Sequence, residues 1–552
     1  MGVLIAMTTK QSQESTESSR RTFFGRTLAS AGAAVMATAL TNDRTLGQDH
    51  VALPPGGQRI VIASQAGAKL DSHVETGGGT DDTNVLQAVL DKAVEWGSLH
   101  LIMDGAALTA GLRVHANTTI ECLNQACGFF HKANTNQPVL TNANPRYVGE
   151  RLDKNILLLG GTYNNNCREQ VHHYDVDEAA RASTPECFGK TRWNITFEFL
   201  GVENFTMRDV TIRDQRTFAM LMANFYRVTC ENIYIDRPNG TDAQNQDGLH
   251  FWGPGQFLVI KNLQGDAGDD FLALAPDEND LVSSITDVLI DGVTLNEADQ
   301  GIRLLSRGTG RLDRVVIRNV TGTYRSFGFY IEPWFNKTGG NYGSIIFDTV
   351  DLRPLEPNYT YRPPVLFSVG GTIENLILRN ISSHQSIDNR TLFDFGAASC
   401  MQGLGEKGDI PNMDIKSVLI DGLRIYDDAE KSSEASYIQI RGPVRSMVVR
   451  DVEVLRSDAV PVGGSLISTD SDATVGRLVI ENVLTERLQR IVSHKAGSID
   501  KLYLRHVVAE AAAEPVLTVE AGQVGRLVVH SVAGGGVASV SGSGAITSRE
   551  DI

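Results

Sequence analysis

Short alternations of apolar and polar residues organise this chain. A four-residue phrase, aliphatic–polar–Asn/Asp/Gly–aliphatic in its commonest form, begins at Met207–Val210 and returns at Cys230–Ile233, Ile260–Leu263, Ile290–Val293 and Ile317–Val320. It comes round again at Phe347–Val350, Leu378–Ile381, Ile420–Leu423, Val449–Val452, Ile480–Val483, Leu504–Val507 and Val529–Val532. The steps run from 23 to 42 residues, a period that belongs to solenoids. Each phrase is rich in Val, Ile and Leu and alternates with strand periodicity, whereas helical repeats would need longer segments at 3.6-residue spacing. Gly, Asn and Asp supply the bends between strands. The expected fold is therefore all-β, a single-stranded parallel β-helix with three short strands per coil. Its hand should be right, as parallel crossovers usually are.

The flanks divide the chain further. Residues 1–39 read as a twin-arginine signal peptide, with Ser19-Arg20-Arg21-Thr22-Phe23-Phe24 ahead of an Ala/Gly-rich run and Ala37-Thr38-Ala39 resembling a cleavage site. That run is too short and too weakly apolar to span a bilayer. Export in the folded state to the periplasm or beyond is the expectation. Residues 40–98 form an N-terminal region with a capping helix: Thr80 or Asp81 caps it, Val85, Leu86, Val89, Leu90, Ala93 and Val94 mark its apolar stripe, and Gly97 ends it. The β-helix is expected over 99–535 and a C-terminal tail over 536–552, with polar excursions at 162–193 and 382–412.

Charge and cysteine content narrow the partners. A formal net charge of −16 argues against nucleic acid or an anionic membrane. The six cysteines imply no disulfide framework and show no zinc spacing, though Cys167 and Cys187 bracket a polar loop that they are able to close. Cys230 sits at an inward position of its phrase and reads as core. His172-His173 with Asp175 and Asp177 reads as a solvated loop rather than a metal site. No phosphate-cradling glycine loop precedes a helix, so no organic cofactor is expected. A monomer is the default for a capped solenoid.

Unusual side chains gather between the phrases. Four successive rungs carry Asn245-Gln246-Asp247-Gly248-Leu249-His250-Phe251-Trp252, Gly268-Asp269-Asp270-Phe271, Asp299-Gln300-Gly301-Ile302-Arg303 and Gly328-Phe329-Tyr330-Ile331-Glu332-Pro333-Trp334. Stacked strands lie about 4.8 Å apart, so Asp247, Asp269 and Asp270 become a carboxylate cluster. Neighbouring carboxylates cannot all ionise easily, and one is thereby made a proton donor beside a base, the division that glycoside hydrolysis needs. Asp269 and Asp270 both reach one face only if a bend or bulge separates them. Asp247-Gly248 read alone is equally a turn, like Asp291-Gly292, and calcium binding by the three acids is a further option.

At these residues the chain resembles the polygalacturonase family of glycoside hydrolases (family 28), inverting enzymes on a right-handed parallel β-helix. Asn245-Gln246-Asp247-Gly248 matches that family's Asn-Thr-Asp-Gly, and Asp269-Asp270 matches its Asp-Asp. The resemblance implies Asp269 as general acid, with Asp247 and Asp270 orienting and deprotonating water. Two motifs depart: Gln300-Gly301 stands where His-Gly is expected, and Tyr330-Ile331-Glu332 where Arg-x-Lys is expected. The second departure removes the cations associated with a substrate carboxylate and points away from plain polygalacturonate, unless Arg303, Arg307 or Arg325 restores the charge. His250, Trp252, Gln300, Arg303, Tyr330, Glu332 and Trp334 are the candidate substrate-binding residues. The partner expected is a polysaccharide or oligosaccharide; a polysaccharide lyase and a non-catalytic glycan-binding β-helix are the alternatives.

Overall fold

The computed structural model describes residues 59–552 apart from 136, 171–193, 240–244, 334–338, 358–363, 386–390, 397–412, 433, 511 and 513. The expected signal peptide, Cys187, the histidine-rich loop and Trp334 lie outside the described residues. From Arg59 onward the chain is a right-handed parallel β-helix in which each strand pairs, parallel, with its counterparts in the coils before and after.

Each coil has three faces. The first is built by Arg59–Ile62, Leu99–Met103, Thr118–Cys122 and Asp153–Leu159 and continues through the segment of each repeat that ends in the recurrent phrase. The second follows the phrase and the third closes the coil, as Leu112–Val114, Leu140–Asn142 and the start of Phe197–Arg213 do. Period-two alternation sends Val, Ile, Leu and Phe inward into one continuous core and leaves polar residues outside.

The phrase is the corner between the first two faces. Its third residue has a left-handed backbone in all twelve repeats, from Asp209 (φ 59°) and Asn232 (φ 55°) to His506 (φ 50°) and Ser531 (φ 55°). Asn, Asp and Gly tolerate that conformation best, which explains their recurrence. Some corners also bond to one another: Asn232 Nδ2 donates to Asp209 Oδ1 at 2.8 Å, and Asn262 Nδ2 to Asn232 Oδ1 at 2.9 Å.

The helix spans Thr83–Trp96 and buries Leu86, Leu90 and Ala93 against the strands Leu99–Met103 and Leu112–Val114, with Gly97 (φ 78°) as its left-handed terminus. Its cap differs from expectation. Asp82 holds the N-cap position, but its carboxylate faces away from the helix to accept the backbone N–H groups of Lys69 (2.7 Å) and Leu70 (2.8 Å), while Asp81 Oδ1 accepts the N–H of Thr83, the first helical residue, at 3.0 Å. The coil also runs further at both ends than expected. Arg59–Ile62 already pairs with Leu99–Met103, and within the supposed tail Ala538–Val540 and Ala545–Asp551 add strands to the stack. Cys230 is buried in the core, and no helix among the described residues is long and apolar enough to cross a membrane.

Candidate active site

The four rungs singled out in the sequence stack on the third face. Leu249, Leu272, Ile302 and Phe329 stand in register and point into the core, fully buried. Alternation turns the next column outward, so His250, Ala273, Arg303 and Tyr330 line up along the outer surface. Two positions before the inward column, the chain enters each rung, and there the carboxylates converge.

Gly248 N–H donates to the Asp270 carbonyl at 2.8 Å, which sets Asp247 beside Asp270. A Cβ on Gly248 would lie 2.1 Å from the Phe271 carbonyl oxygen, so this glycine is required by a close backbone approach. Gly292 and Gly422 differ: they sit at phrase corners with φ of 83° and 79°. Asp247-Gly248 is therefore not another copy of the corner turn. The strand Asp270–Ala275 starts at Asp270 itself, and a bend at Gly268-Asp269 frees Asp269 from strict alternation. That is the bend the adjacent pair required.

Each acid has a distinct environment. Asp269 is half-buried; Gln300 Nε2 donates to its Oδ1 at 2.5 Å and the Asn245 backbone N–H to its Oδ2 at 2.9 Å. Asp270 is buried and paired through Oδ2 with Arg303 Nη1 at 3.1 Å. Burial nonetheless pushes its carboxyl up to about 6, with the Asp269 charge adding and Arg303 opposing. Asp247 is buried too, and desolvation, abetted by the Asp270 and Asp269 charges, raises it well above the usual carboxylate range against the pull of His250. The Oδ1 atoms of Asp247 and Asp270 are buried without a hydrogen-bond partner among the described residues.

His250 is clamped. Its Nδ1 meets Asp247 Oδ2 at 2.7 Å and its Nε2 meets Glu278 Oε2 at 2.9 Å. Burial would lower its value, but the Glu278 charge and the two carboxylate hydrogen bonds hold it up at about 10, so the ring is an imidazolium. Burial likewise opposes ionisation of Glu278, yet the His250 cation draws it down to about 2. Trp252 Nε1 donates to the same Glu278 oxygen at 2.9 Å.

The predicted binding residues divide. Gln300 and Arg303 join the carboxylates. Tyr330 is buried, its ring stacked on Phe327 (4.6 Å between centroids) and beneath the Arg303 guanidinium at 5.1 Å. Trp252 is only 2 % exposed and packs into an outer apolar cluster with Leu200, Leu221 and Leu305, so it is a wall and not an open sugar platform. Glu332 is buried and accepts from Ser368 Oγ, one coil further along. Arg325 is committed to Glu297 at 2.7 Å. Arg307 Nη1 donates to the Glu278 carbonyl, while Asp277 accepts the backbone N–H groups of Arg307, Gly308 and Gly310.

Glu278 is the residue of this cluster that sequence reasoning missed. It lies in Pro276-Asp277-Glu278-Asn279-Asp280, an acidic run that reads as a solvated turn. The available signal was its place directly behind the apolar strand that follows Asp269-Asp270. Among the described residues, no group of three or more His, Cys, Asp and Glu is arranged to hold a metal ion.

No protein-family model and no curated protein matches the chain. Among solved structures it is similar to the family 28 exopolygalacturonase of Yersinia enterocolitica, at 13% identity and a TM-score of 0.51 over 76% of this chain and 78% of that one. A double mutant of the tailspike protein of E. coli bacteriophage HK620 is similar at 10% identity and a TM-score of 0.50, over 85% and 75% of the two chains. A hyperthermoactive exopolygalacturonase from Thermotoga maritima gives 15% identity and a TM-score of 0.49, over 78% and 94%. At these identities the likeness is one of fold, the parallel β-helix.

Proposed function

We propose that the protein is a glycoside hydrolase acting on a polysaccharide or oligosaccharide, with Asp247, Asp269 and Asp270 as its catalytic acids. The observation that carries this reading is the convergence of the three carboxylates at the entry to two adjacent rungs, each in a different environment. Asp269, the most accessible, is the general acid toward the leaving oxygen. The unpartnered Oδ1 atoms of Asp247 and Asp270 suit a water molecule that Asp247 would help to orient and Asp270, once ionised, would deprotonate, with inversion as the expected outcome. His250 and Glu278 keep Asp247 in place, and Arg303 does the same for Asp270. The likeness in fold to the family 28 exopolygalacturonase of Yersinia enterocolitica supports a carbohydrate as the substrate class.

The substrate proposed is not plain polygalacturonate. Tyr330 and Glu332 occupy the positions where a cation pair would face a uronate, and Arg303, the nearest cation, is already engaged by Asp270 and the Tyr330 ring. That engagement also counts against Arg303 as the base of a lyase. The twin-arginine segment is taken as an export signal, which fusion of residues 1–39 to a reporter would test by its appearance in the periplasm.

The deciding experiment is product analysis on neutral and uronic-acid polysaccharides, with Asp269→Asn beside the wild type. New reducing ends that vanish in the variant support the hydrolase. Products absorbing in the ultraviolet would move the answer to a lyase, and binding without any product would make the protein a glycan-binding β-helix.

A further inference from the structure

A cavity of about 270 Å³ opens on the same outer face. The outward column that carries Arg303 and Tyr330 continues in register through Ser368 to Asp394 and Gln439. Asp394 and Gln439 line this cavity. Three coils separate Arg303 from Asp394, a distance of about 14 Å along the face. The cavity shares no residue with the carboxylate cluster.

Its polar lining is pre-arranged. Arg441 Nε donates to Asp394 Oδ1 at 3.0 Å and Arg441 Nη2 to Gln439 Oε1 at 2.6 Å. Gln439 Nε2 in turn donates to Asp470 Oδ2 at 2.9 Å, so the amide is oriented from both ends. Asp394 Oδ2 receives no hydrogen bond among the described residues, and burial pushes that carboxyl up to about 6 against the pull of Arg441. Pro364, Val365 and Ala435 supply apolar wall, and Ser432 stands exposed at the lip.

Held acceptors and donors beside a small apolar wall match a sugar ring, which presents hydroxyls at its edge and C–H groups on its face. The charge balance selects among sugars. Among the described lining residues the cation, Arg441, is already engaged by Asp394 and Gln439, and Glu434 is paired with Lys495 at 2.6 Å, so an anionic ring faces the Asp394 carboxyl with no uncommitted cation to offset it. A volume of about 270 Å³ admits one ring rather than a chain.

We propose that this cavity is a distal subsite for one neutral sugar unit, borne by the same glycan whose bond is cleaved at Asp269. The hydrolase reading is needed only for the link between the two sites; the cavity's preference for a neutral sugar stands on its own lining. The site makes the protein a reader of substrate length as well as of the sugar at the cleavage point.

The test is saturation-transfer NMR with the full chain and a panel of neutral hexoses, pentoses and 6-deoxyhexoses, with galacturonate as the anionic control. At least one neutral sugar should bind. Asp394→Asn and the lip variant Ser432→Trp should each weaken it about tenfold or more, the worth of a hydrogen bond to a charged group or of a blocked mouth. Asp269→Asn should leave binding at the cavity unchanged. Ser432 is exposed, so its variant keeps the test meaningful should Asp394→Asn disturb the coil. Preference for galacturonate, no binding of any neutral sugar, or binding indifferent to both variants would overturn the proposal. Hydrolysis without binding here sinks the subsite alone, and binding here without hydrolysis sinks the hydrolase reading alone.

Discussion

The imidazolium of His250 lends itself to a quantitative test. It sits almost solvent-free between Asp247 (2.7 Å) and Glu278 (2.9 Å). A value of about 10, against an unperturbed 6.5, makes the folded state prefer the cation by about 4 kcal/mol at neutral pH. An independent route agrees, since removing one partner of a buried ion pair costs about 3–5 kcal/mol. The sign follows from the raised value. This contribution is complete below the unfolded-state value of 6.5 and is lost as pH climbs through about 10. Replacing His250 by Gln keeps a donor but no charge, and leaves the buried Glu278 carboxylate facing a neutral amide. We expect His250→Gln to lower the unfolding free energy in urea by about 3 kcal/mol or more at neutral pH. We also expect long-range proton–nitrogen NMR of the wild type to show both ring nitrogens protonated until the solution is strongly alkaline. An imidazole that titrates near 6.5, or a Gln variant of nearly wild-type stability, would refute the clamp and with it the account of how Asp247 is held.

Other outcomes follow from the same geometry. Arg303→Met removes the cation that opposes burial at Asp270, so the acidic limb of the pH–activity profile, expected near 6 for this carboxyl, should shift to higher pH, with kcat reduced about a hundredfold; an unmoved limb would remove Asp270 from the base's role. Gln300→Leu takes away a hydrogen bond to Asp269 Oδ1 and should cut kcat about tenfold or more while KM changes little, as steady-state kinetics on the responding substrate would show. Asn262→Val places a β-branched residue at φ 52° and should cost about 1–2 kcal/mol in chemical denaturation, whereas Asn262→Gly should cost less. Neutral-sugar binding at the distal cavity should strengthen as pH rises through about 6, where Asp394 ionises, because a carboxylate is the better acceptor.

The coil was legible because its rule is local. Each corner needs a residue that accepts a left-handed backbone and each strand needs alternation, so Asn232, Asn262, Gly292 and Gly422 announce the corners one repeat at a time. The acid trio was legible for a related reason: register follows from the phrases, and register brings Asp247 to Asp270. What the sequence hides is which outward side chains are covered. Trp252 and Tyr330 have the composition of a sugar platform, and only the packing of Leu221, Leu305 and Phe327 around them reveals buried walls. Glu278 was invisible because a carboxylate in a polar run looks solvated until a histidine from the preceding coil reaches it. The helix start was half legible: Asp81 accepts the Thr83 N–H as its position suggests, while Asp82 spends its carboxylate on Lys69 and Leu70, partners distant in sequence.

The single column running from His250 through Arg303, Tyr330 and Ser368 to Asp394 and Gln439 gives the face a unit of measure. Any two points on it are separated by a whole number of coil thicknesses, about 4.8 Å each. Because each coil leans only on its neighbours, inserting or excising one between Arg303 and Asp394 would change their spacing by one graduation while leaving both ends intact. The β-helix is in this sense a ruler whose marks are residues.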